Sequence, residues 1–264
     1  MKNLEFKQKK TSEVLTRPNL SVAIITFNEE RIIEKTLSAI CDWVDEIVVV
    51  DSYSTDNTPN ILEMFSVKTY KEKWQGYSKQ KNSALSKCTG DWILSLDADE
   101  VVNSALKEEI LKVIKKPGKN VGFKLARKLY IGTKWIRYGG YYPDYQLRLF
   151  KSTTSAHFND REVHESVNLN GKVGYLRNPI EHYGYRDSKE YEKSLKKYAE
   201  LASKEIKDKL FYPPWLRAAW AFGFRYIGRL GFLEGQLGLD LAKSYSKYVY
   251  KKYMFASKAH DSNV

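Results

Sequence analysis

Apolar residues near the start of the chain come as short unbroken runs, and between these runs they recur at helical spacing. Leu20 to Phe27, Ile47 to Val50 and Trp92 to Leu96 are continuous and rich in branched side chains, the mark of strands buried on both faces. Each run ends abruptly in polar residues: Asn28-Glu29-Glu30, Asp51 with the turn-forming Ser52 to Pro59, and Asp97-Ala98-Asp99-Glu100. After the first run, Ile32, Ile33, Thr36, Leu37 and Ile40 share one helix face; further helices are predicted at about 74–87 and over Asn103 to Lys115, the latter stopped by Lys116-Pro117-Gly118. Strands alternating with helices predict a parallel α/β sheet, whose ligand belongs outside the carboxyl ends of the strands. Phe27, Asp51, Asp97 and Asp99 sit at those ends.

Beyond residue 120 the pattern changes. Val121 to Tyr130 and Gln146 to Lys151 read as strands joined by an aromatic, glycine-containing loop, Tyr138-Gly139-Gly140-Tyr141-Tyr142-Pro143. Shorter strand-like pieces follow at Val163 to Val167, Gly174 to Arg177 and Ile180 to Tyr183, then a charged helix over Ser188 to Lys209 with a stripe of Leu195, Tyr198, Leu201 and Ala202. The chain divides on this reading into a mobile arm (1–18), an α/β domain (19–185) in two halves (19–100 and 101–185), and a helical, basic extension (186–264).

The acidic strand ends carry the chemistry. Carboxylates packed as densely as Asp97, Asp99 and Glu100 repel one another unless a cation compensates them, and a divalent metal bridging a phosphate ligand is the simplest such cation. The alternative is a helix N-terminus, which acids also stabilise. Arg148 is a candidate phosphate contact, because a guanidinium is always charged and binds oxyanions through two hydrogen bonds. Trp135, Tyr138, Tyr141 and Tyr142 offer a stacking platform for a sugar face, with core packing as the alternative for Trp135.

Charge adds a second theme. The 264 residues carry a net charge of +12, and from Arg186 onward there are 16 Lys and Arg against 9 Asp and Glu. Such a basic tail suits nucleic acid, an anionic membrane or a phosphorylated acceptor. At about 100° per residue, Arg217, Arg225 and Arg229 fall on one side of a helix and Trp, Phe, Leu and Ile on the rest, the pattern of an interfacial helix. The competing reading packs that helix on the protein's own core or on a second subunit. Cys41 and Cys88 lie in helical patterns without metal-site spacing and are expected to be reduced and buried, and the Lys-rich N-terminus lacks the apolar core of a secretory signal. A cytoplasmic protein, peripheral on the inner face of the cytoplasmic membrane through its basic tail, is the expectation.

Three motifs in register, Ser21-Val22-Ala23-Ile24-Ile25-Thr26-Phe27-Asn28-Glu29-Glu30, Val50-Asp51-Ser52-Tyr53-Ser54-Thr55-Asp56-Asn57-Thr58 and Leu96-Asp97-Ala98-Asp99-Glu100, resemble the family 2 glycosyltransferases of GT-A fold, and in particular the bacterial lipopolysaccharide-core enzymes. Weaker similarity continues through Tyr142 to Phe150, Val163-His164-Glu165 and Gly231 to Gly235. The resemblance implies a Rossmann-like, mostly parallel sheet flanked by helices, and makes residues 19–185 a catalytic domain with a nucleotide half (19–100) and an acceptor half (101–185). It also implies an inverting, metal-dependent transfer of a hexose from a nucleotide-diphosphate sugar, UDP-linked, to a lipopolysaccharide-core or other envelope glycan. Carried onto this chain, it assigns Thr26, Phe27, Asn28, Asp51, Lys81, Asn82 and Asp97 to the nucleotide sugar, where Arg148 joins them. Asp99 and His182 fall to Mg²⁺ or Mn²⁺, and Glu165 becomes the general base, with Asp144 and Asp160 in reserve. Ser52 stands where many members carry a second Asp at the base-specific contact. Two other classes remain open on the residues alone. A nucleotidyltransferase acting on sugar phosphates would place a glycine-rich basic loop at the first strand, where this chain has Phe27-Asn28-Glu29-Glu30. A basic nucleic-acid-binding module would leave the acidic strand ends without a purpose.

Overall fold

The computed structural model describes residues 17–159, 166–204, 206 and 212–261, the stretch 258–261 by backbone alone. Two compact units form from interleaved segments: of the described residues, those within 17–126, 145–159 and 166–181 make the first, and those within 127–144 and 182–261 the second. Residues 127–144, placed by the sequence in the acceptor half, therefore cluster with the C-terminal segment.

In the first unit β1 (Leu20–Thr26) lies between β2 (Glu46–Asp51) and β4 (Trp92–Asp97), parallel to both, and β3 (Lys68–Lys71) adds in parallel beyond β2. The sheet continues through β8 (Asp144–Lys151), antiparallel to β4, to β6 (Asn120–Ile131), β12 (Ile180–Tyr185) and the short β5 (Glu100–Val101). Alternate residues of the central strands enter opposite cores, as a period of two requires. Leu20, Val22, Ile24, Val49 and Leu94 pack with Ile33 and Leu37 of α1 (Ile33–Ser38), Ile61 of α2 (Thr58–Glu63) and Leu106, Ile110 and Ile114 of α4 (Ser104–Lys115). Ala23, Val50, Ile93 and Phe150 pack on the other face with Ala84 and Leu85 of α3 (Tyr77–Ser86). Helices on both faces explain why these strands read as unbroken apolar runs.

Asn103 caps α4 by accepting a hydrogen bond from the Leu106 amide (2.9 Å). The acids of Asp97 to Glu100 are therefore a strand-end turn and not the first turn of that helix. At the opposite edge, Arg17, inside the stretch expected to be a mobile arm, is held by Asp45 at 2.6 Å. Cys41 and Cys88 are free thiols, half-buried, and lie just past the ends of α1 and α3 where helices were expected to include them. Burial pushes the Cys88 thiol up to about 12, so it stays protonated and inert.

The second unit is built on the distal part of β6, which forms a hairpin with β7 (Lys134–Trp135) around Gly132, and on α5 (Ser188–Lys204), α6 (Pro214–Gly223) and α7 (Gln236–Asp261). Leu129, Ile131, Ile136, Tyr191 and Leu241 form one cluster, and Ala199, Ala202, Tyr248 and Val249 another. The buried Glu234 fastens the hairpin by accepting from the Arg137 and Tyr138 amides (2.7 and 3.1 Å) and from Lys134 Nζ (2.9 Å). That clamp accounts for the Gly231-Phe232-Leu233-Glu234-Gly235 motif: a Cβ on Gly231 would meet the Arg225 carbonyl at 2.7 Å, and Gly235 takes a φ of 67°.

The expected interfacial helix is not continuous. α6 passes at Gly223 into a π-turn over Phe224–Gly228, and the chain then reverses at Leu230 (φ 57°). The wider turn breaks the 100° spacing, and Arg225 swings inward to stack on Tyr245 (3.6 Å from the ring centre) and donate to the Gly139 carbonyl (2.7 Å). Strands expected at Gly174 to Arg177 and Ile180 to Tyr183 form as β11 (Lys172–Tyr175) and β12. Of the piece expected at Val163 to Val167, β10 (Val167–Asn168) is described and 163–165 lie outside the described residues.

Candidate active site

The parallel register sets the site. Thr26 of β1 pairs with Asp51 of β2, and Ile25 pairs with Asp97 of β4, so the three carboxyl ends finish side by side. The turns leaving β1 and β2 are stitched together by backbone and side chain. The Ser52 amide donates to the Thr26 carbonyl (2.9 Å), the Thr55 amide to Asn28 Oδ1 (2.8 Å), and the Asn28 amide to Ser54 Oγ (2.9 Å). Asn28 takes a φ of 57°, a conformation Asn tolerates better than most residues. Asp51 is buried and accepts from the Ser54 amide (3.0 Å) and Ser54 Oγ (2.5 Å), which fixes its carboxylate.

Two features of this platform point to a polar, flat ligand. Thr26 Oγ1 and Ser52 Oγ are buried without a hydrogen-bond partner among the described residues, an uncompensated cost unless a ligand or water meets them. Phe27 is 53% exposed and so is Tyr53, which leaves both rings open to stacking.

At the end of β4 the turn Asp97-Ala98-Asp99 is tied to α1 by Thr36 Oγ1, which donates to the Ala98 carbonyl at 2.7 Å. Asp97 is ion-paired with Lys81 of α3 at 2.8 Å and with Arg148 of β8. Arg148 also pairs with Glu100 at 2.6 Å, and Glu100, with no exposed surface, accepts from the Asp97 amide at 3.0 Å. Burial alone would lower the Arg148 pKa, but Asp97 and Glu100 outweigh it and hold the guanidinium above its ordinary value. Two carboxylates and two cations thus form a cluster of zero formal charge. The crowding of acids that suggested a metal is met, for Asp97 and Glu100, by the chain's own Lys81 and Arg148. Arg148, expected at a phosphate, is instead 4% exposed and engaged with carboxylates.

Asp99 is half-buried in the same turn. No group of three or more His, Cys, Asp and Glu side chains that could hold a metal converges among the described residues. A magnesium-type ion needs only one or two carboxylates when substrate phosphates and water complete its shell, so this donor set fits one held by Asp99 and a diphosphate. Asn82, expected at the nucleotide, is engaged elsewhere: it donates to the Phe158 carbonyl (2.9 Å) and accepts from the Phe158 amide (2.7 Å). Lys79 is exposed, a solvated helix position.

Glu165, His164 and Asp160 lie outside the described residues. In the second unit Asp144 accepts from Arg127 Nε at 2.8 Å, and His182 on β12 lies beside Gly184, where a Cβ would come within 3.1 Å of its Nε2. Trp135, Tyr141 and Tyr142 belong to aromatic clusters: Trp135 meets Tyr142 edge to face, and the Tyr141 hydroxyl bonds that of Tyr191 at 2.8 Å. Sequence reasoning named Glu100 among the crowded acids but missed its pairing with Arg148, and it missed Ser54 as the residue that fixes Asp51. The spacing of Ser54 three residues after Asp51 matches the way a capping Asp accepts from the amide three positions on and could have found it; nothing local marks Glu100 as the partner of an arginine 48 positions away.

Residues 21–184 match the model of the family described as glycosyl transferase family 2. Over 259 residues the chain is 30% identical to the lipopolysaccharide core biosynthesis glycosyltransferase LpsC of Rhizobium meliloti, an alignment covering 88% of this chain and 94% of LpsC. A stretch of 99 residues is 43% identical to an uncharacterized glycosyltransferase of Rickettsia bellii, covering 38% of this chain and 33% of that protein. The structure of S. aureus TarS 1-349 in complex with UDP-GlcNAc aligns over 92% of both chains at 17% identity, with a TM-score of 0.49.

Proposed function

The chain belongs to glycosyl transferase family 2, and on that premise we propose that it is an inverting, metal-dependent hexosyltransferase acting from a UDP-linked sugar on a lipopolysaccharide-core or other envelope glycan. It is a glycosyltransferase related to the enzymes of lipopolysaccharide core biosynthesis. The observation that carries the donor assignment is the platform at the ends of β1 and β2, where Thr26 Oγ1 and Ser52 Oγ are buried without partners beside the fixed carboxylate of Asp51.

On this reading the nucleoside lies on that platform, with Phe27 or Tyr53 against the base and the orphaned hydroxyls meeting polar atoms of base or ribose. The diphosphate extends toward the end of β4. Lys81, already paired with Asp97, is the cation nearest in sequence logic to that diphosphate, while Arg148 holds Asp97 and Glu100 in place from behind. A divalent ion on Asp99 would supply the positive charge that stabilises the departing diphosphate. Glu165 takes the proton of the acceptor hydroxyl as that oxygen attacks the anomeric carbon and the bond to diphosphate breaks, which inverts the anomeric centre. Asp144 is the weaker candidate for the base, because its carboxylate already accepts hydrogen bonds from Arg127. The acceptor places the enzyme at the inner face of the cytoplasmic membrane.

The test is transfer from a panel of nucleotide sugars to truncated lipopolysaccharide cores, with the product's anomeric configuration read by NMR. Inverted product formed only with a divalent ion is expected. Retained configuration, or equal turnover in chelator, overturns the mechanism.

A further inference from the structure

The exposed side of the α6 segment is apolar over its whole length. Leu216, Trp220, Phe224 and Ile227 follow one another along α6 and its π-turn and all face solvent, Trp220 at 74% and Ile227 at 67%, with Trp220 stacked on Phe224. Trp215, Leu230, Phe232 and Leu233 are exposed beside them in the chain. The same segment's inward side is fully used: Ala218 is buried against α7, where its carbonyl accepts from Ser246 Oγ (2.8 Å), and Arg217 and Arg225 stack on Tyr253 and Tyr245. A stripe this large is not expected to face water in a soluble monomer.

Charge selects the occupant. From Tyr212 to Leu233 there are three arginines and no acidic residue, and Arg229, exposed, borders the stripe beside Phe224. A second copy docked on the same stripe about a twofold axis would bring like charges together, whereas an anionic lipid surface offers apolar depth for tryptophan and phosphate for arginine. No helix among the described residues is long and apolar enough to cross a membrane, so the contact is interfacial. We propose that Leu216, Trp220, Phe224 and Ile227 insert into the headgroup region of an anionic membrane, with Arg229 at the phosphates. The exposed stripe keeps the aromatic face that periodicity predicts for an interfacial helix, but Arg225, expected on the cationic side, braces it from within. The proposal deepens the functional reading by fixing how a membrane-seated acceptor is met, but it stands on exposure and charge, and its vesicle-binding test needs no sugar donor.

The full chain is centrifuged with vesicles of phosphatidylcholine alone and of phosphatidylcholine mixed with equal parts phosphatidylglycerol, at low and high salt. Binding to the anionic vesicles is expected, weakened by salt and reduced at least ~10-fold in Trp220→Ser/Ile227→Ser, the effect of losing two apolar anchors. Both side chains already contact water, so the unfolding midpoint of the variant stays at that of the parent. Lipids brominated near the headgroup should quench the parent's tryptophan emission, and quench it less in Trp220→Phe. Equal sedimentation of parent and double variant, no binding of the parent, or no quenching overturns the proposal. A parent that dimerises in sedimentation velocity while the double variant is monomeric assigns the stripe to a second copy and overturns it equally. Donor-dependent thermal stabilisation, measured in parallel on the double variant, should be unchanged, which separates a failed membrane site from a failed donor site.

Discussion

Replacing Arg148 with Met removes one of two cations from a buried cluster while keeping most of the side-chain volume. Asp97 would retain Lys81 at 2.8 Å, but Glu100, fully buried, would lose the Arg148 guanidinium. Breaking a buried ion pair by deleting one member costs about 3–5 kcal/mol, because the remaining charge stays out of water. For a chain of this length each kcal/mol moves the thermal midpoint by roughly 2–4 °C, so a fall on the order of 10 °C is expected. Adding Glu100→Gln to the Met variant should recover part of the loss, since an amide tolerates the site better than an unpaired carboxylate. Calorimetry and urea titration of the parent, the two single variants and the double variant provide the cycle. If Arg148→Met leaves the midpoint unchanged and chiefly weakens binding of a nucleotide diphosphate, the guanidinium serves phosphate and the structural role assigned to it is wrong.

Three further outcomes are expected, the first from the proposed general base and the others from particular contacts. Glu165→Gln should bind donor with parental affinity and transfer sugar at least ~10²-fold more slowly in single-turnover assays; unchanged transfer moves the base to Asp144 or Asp160. Gly238→Ala should cost about 3 kcal/mol in urea unfolding, because its Cβ would lie 2.0 Å from the Gly231 carbonyl, and a neutral result would mean that the Gly231 to Glu234 turn shifts freely. Burial raises the Glu46 and Glu234 carboxyls, but hydrogen bonds from Lys68, Ser21 and Thr89 to the first, and from Lys134, Tyr138 and Arg137 to the second, outweigh it and hold both below the ordinary glutamate value of 4.5. Their stabilisation is complete above that value and is lost as pH falls through the lowered native values, so Glu46→Gln and Glu234→Gln should flatten the acid limb of the stability profile and leave its alkaline limb unaltered.

The elements legible in the sequence were those whose environment repeats along the chain. β1, β2 and β4 are apolar on both faces because helices cover both, and α4 announces itself by its spacing and the Asn103 cap. Their carboxyl ends, and with them Asp51, Asp97 and Asp99, could be placed without coordinates. What the sequence hid was pairing across distance. Asp97 and Glu100 read as acids awaiting a metal because Lys81 and Arg148 reach them from α3 and β8, and no local pattern marks those partners. Asn82 likewise spends its amide on the Phe158 backbone, 76 positions away. The tail was legible in part: a wheel drawn at constant pitch gives the aromatic face of Trp220 and Ile227, but it cannot anticipate the π-turn that turns Arg225 inward.

The donor platform is tested most directly by thermal stabilisation of the full chain with UDP-, GDP-, ADP- and CMP-linked sugars, each with Mg²⁺, Mn²⁺ or chelator. At least one UDP-sugar should raise the midpoint in the presence of a divalent ion, and Asp99→Asn should abolish most of that rise while unfolding at the parental midpoint without ligand. Stabilisation of equal size in chelator, or in the folded Asp99→Asn variant, would contradict the metal assignment; no stabilisation by any nucleotide sugar would contradict the donor site at the ends of β1, β2 and β4.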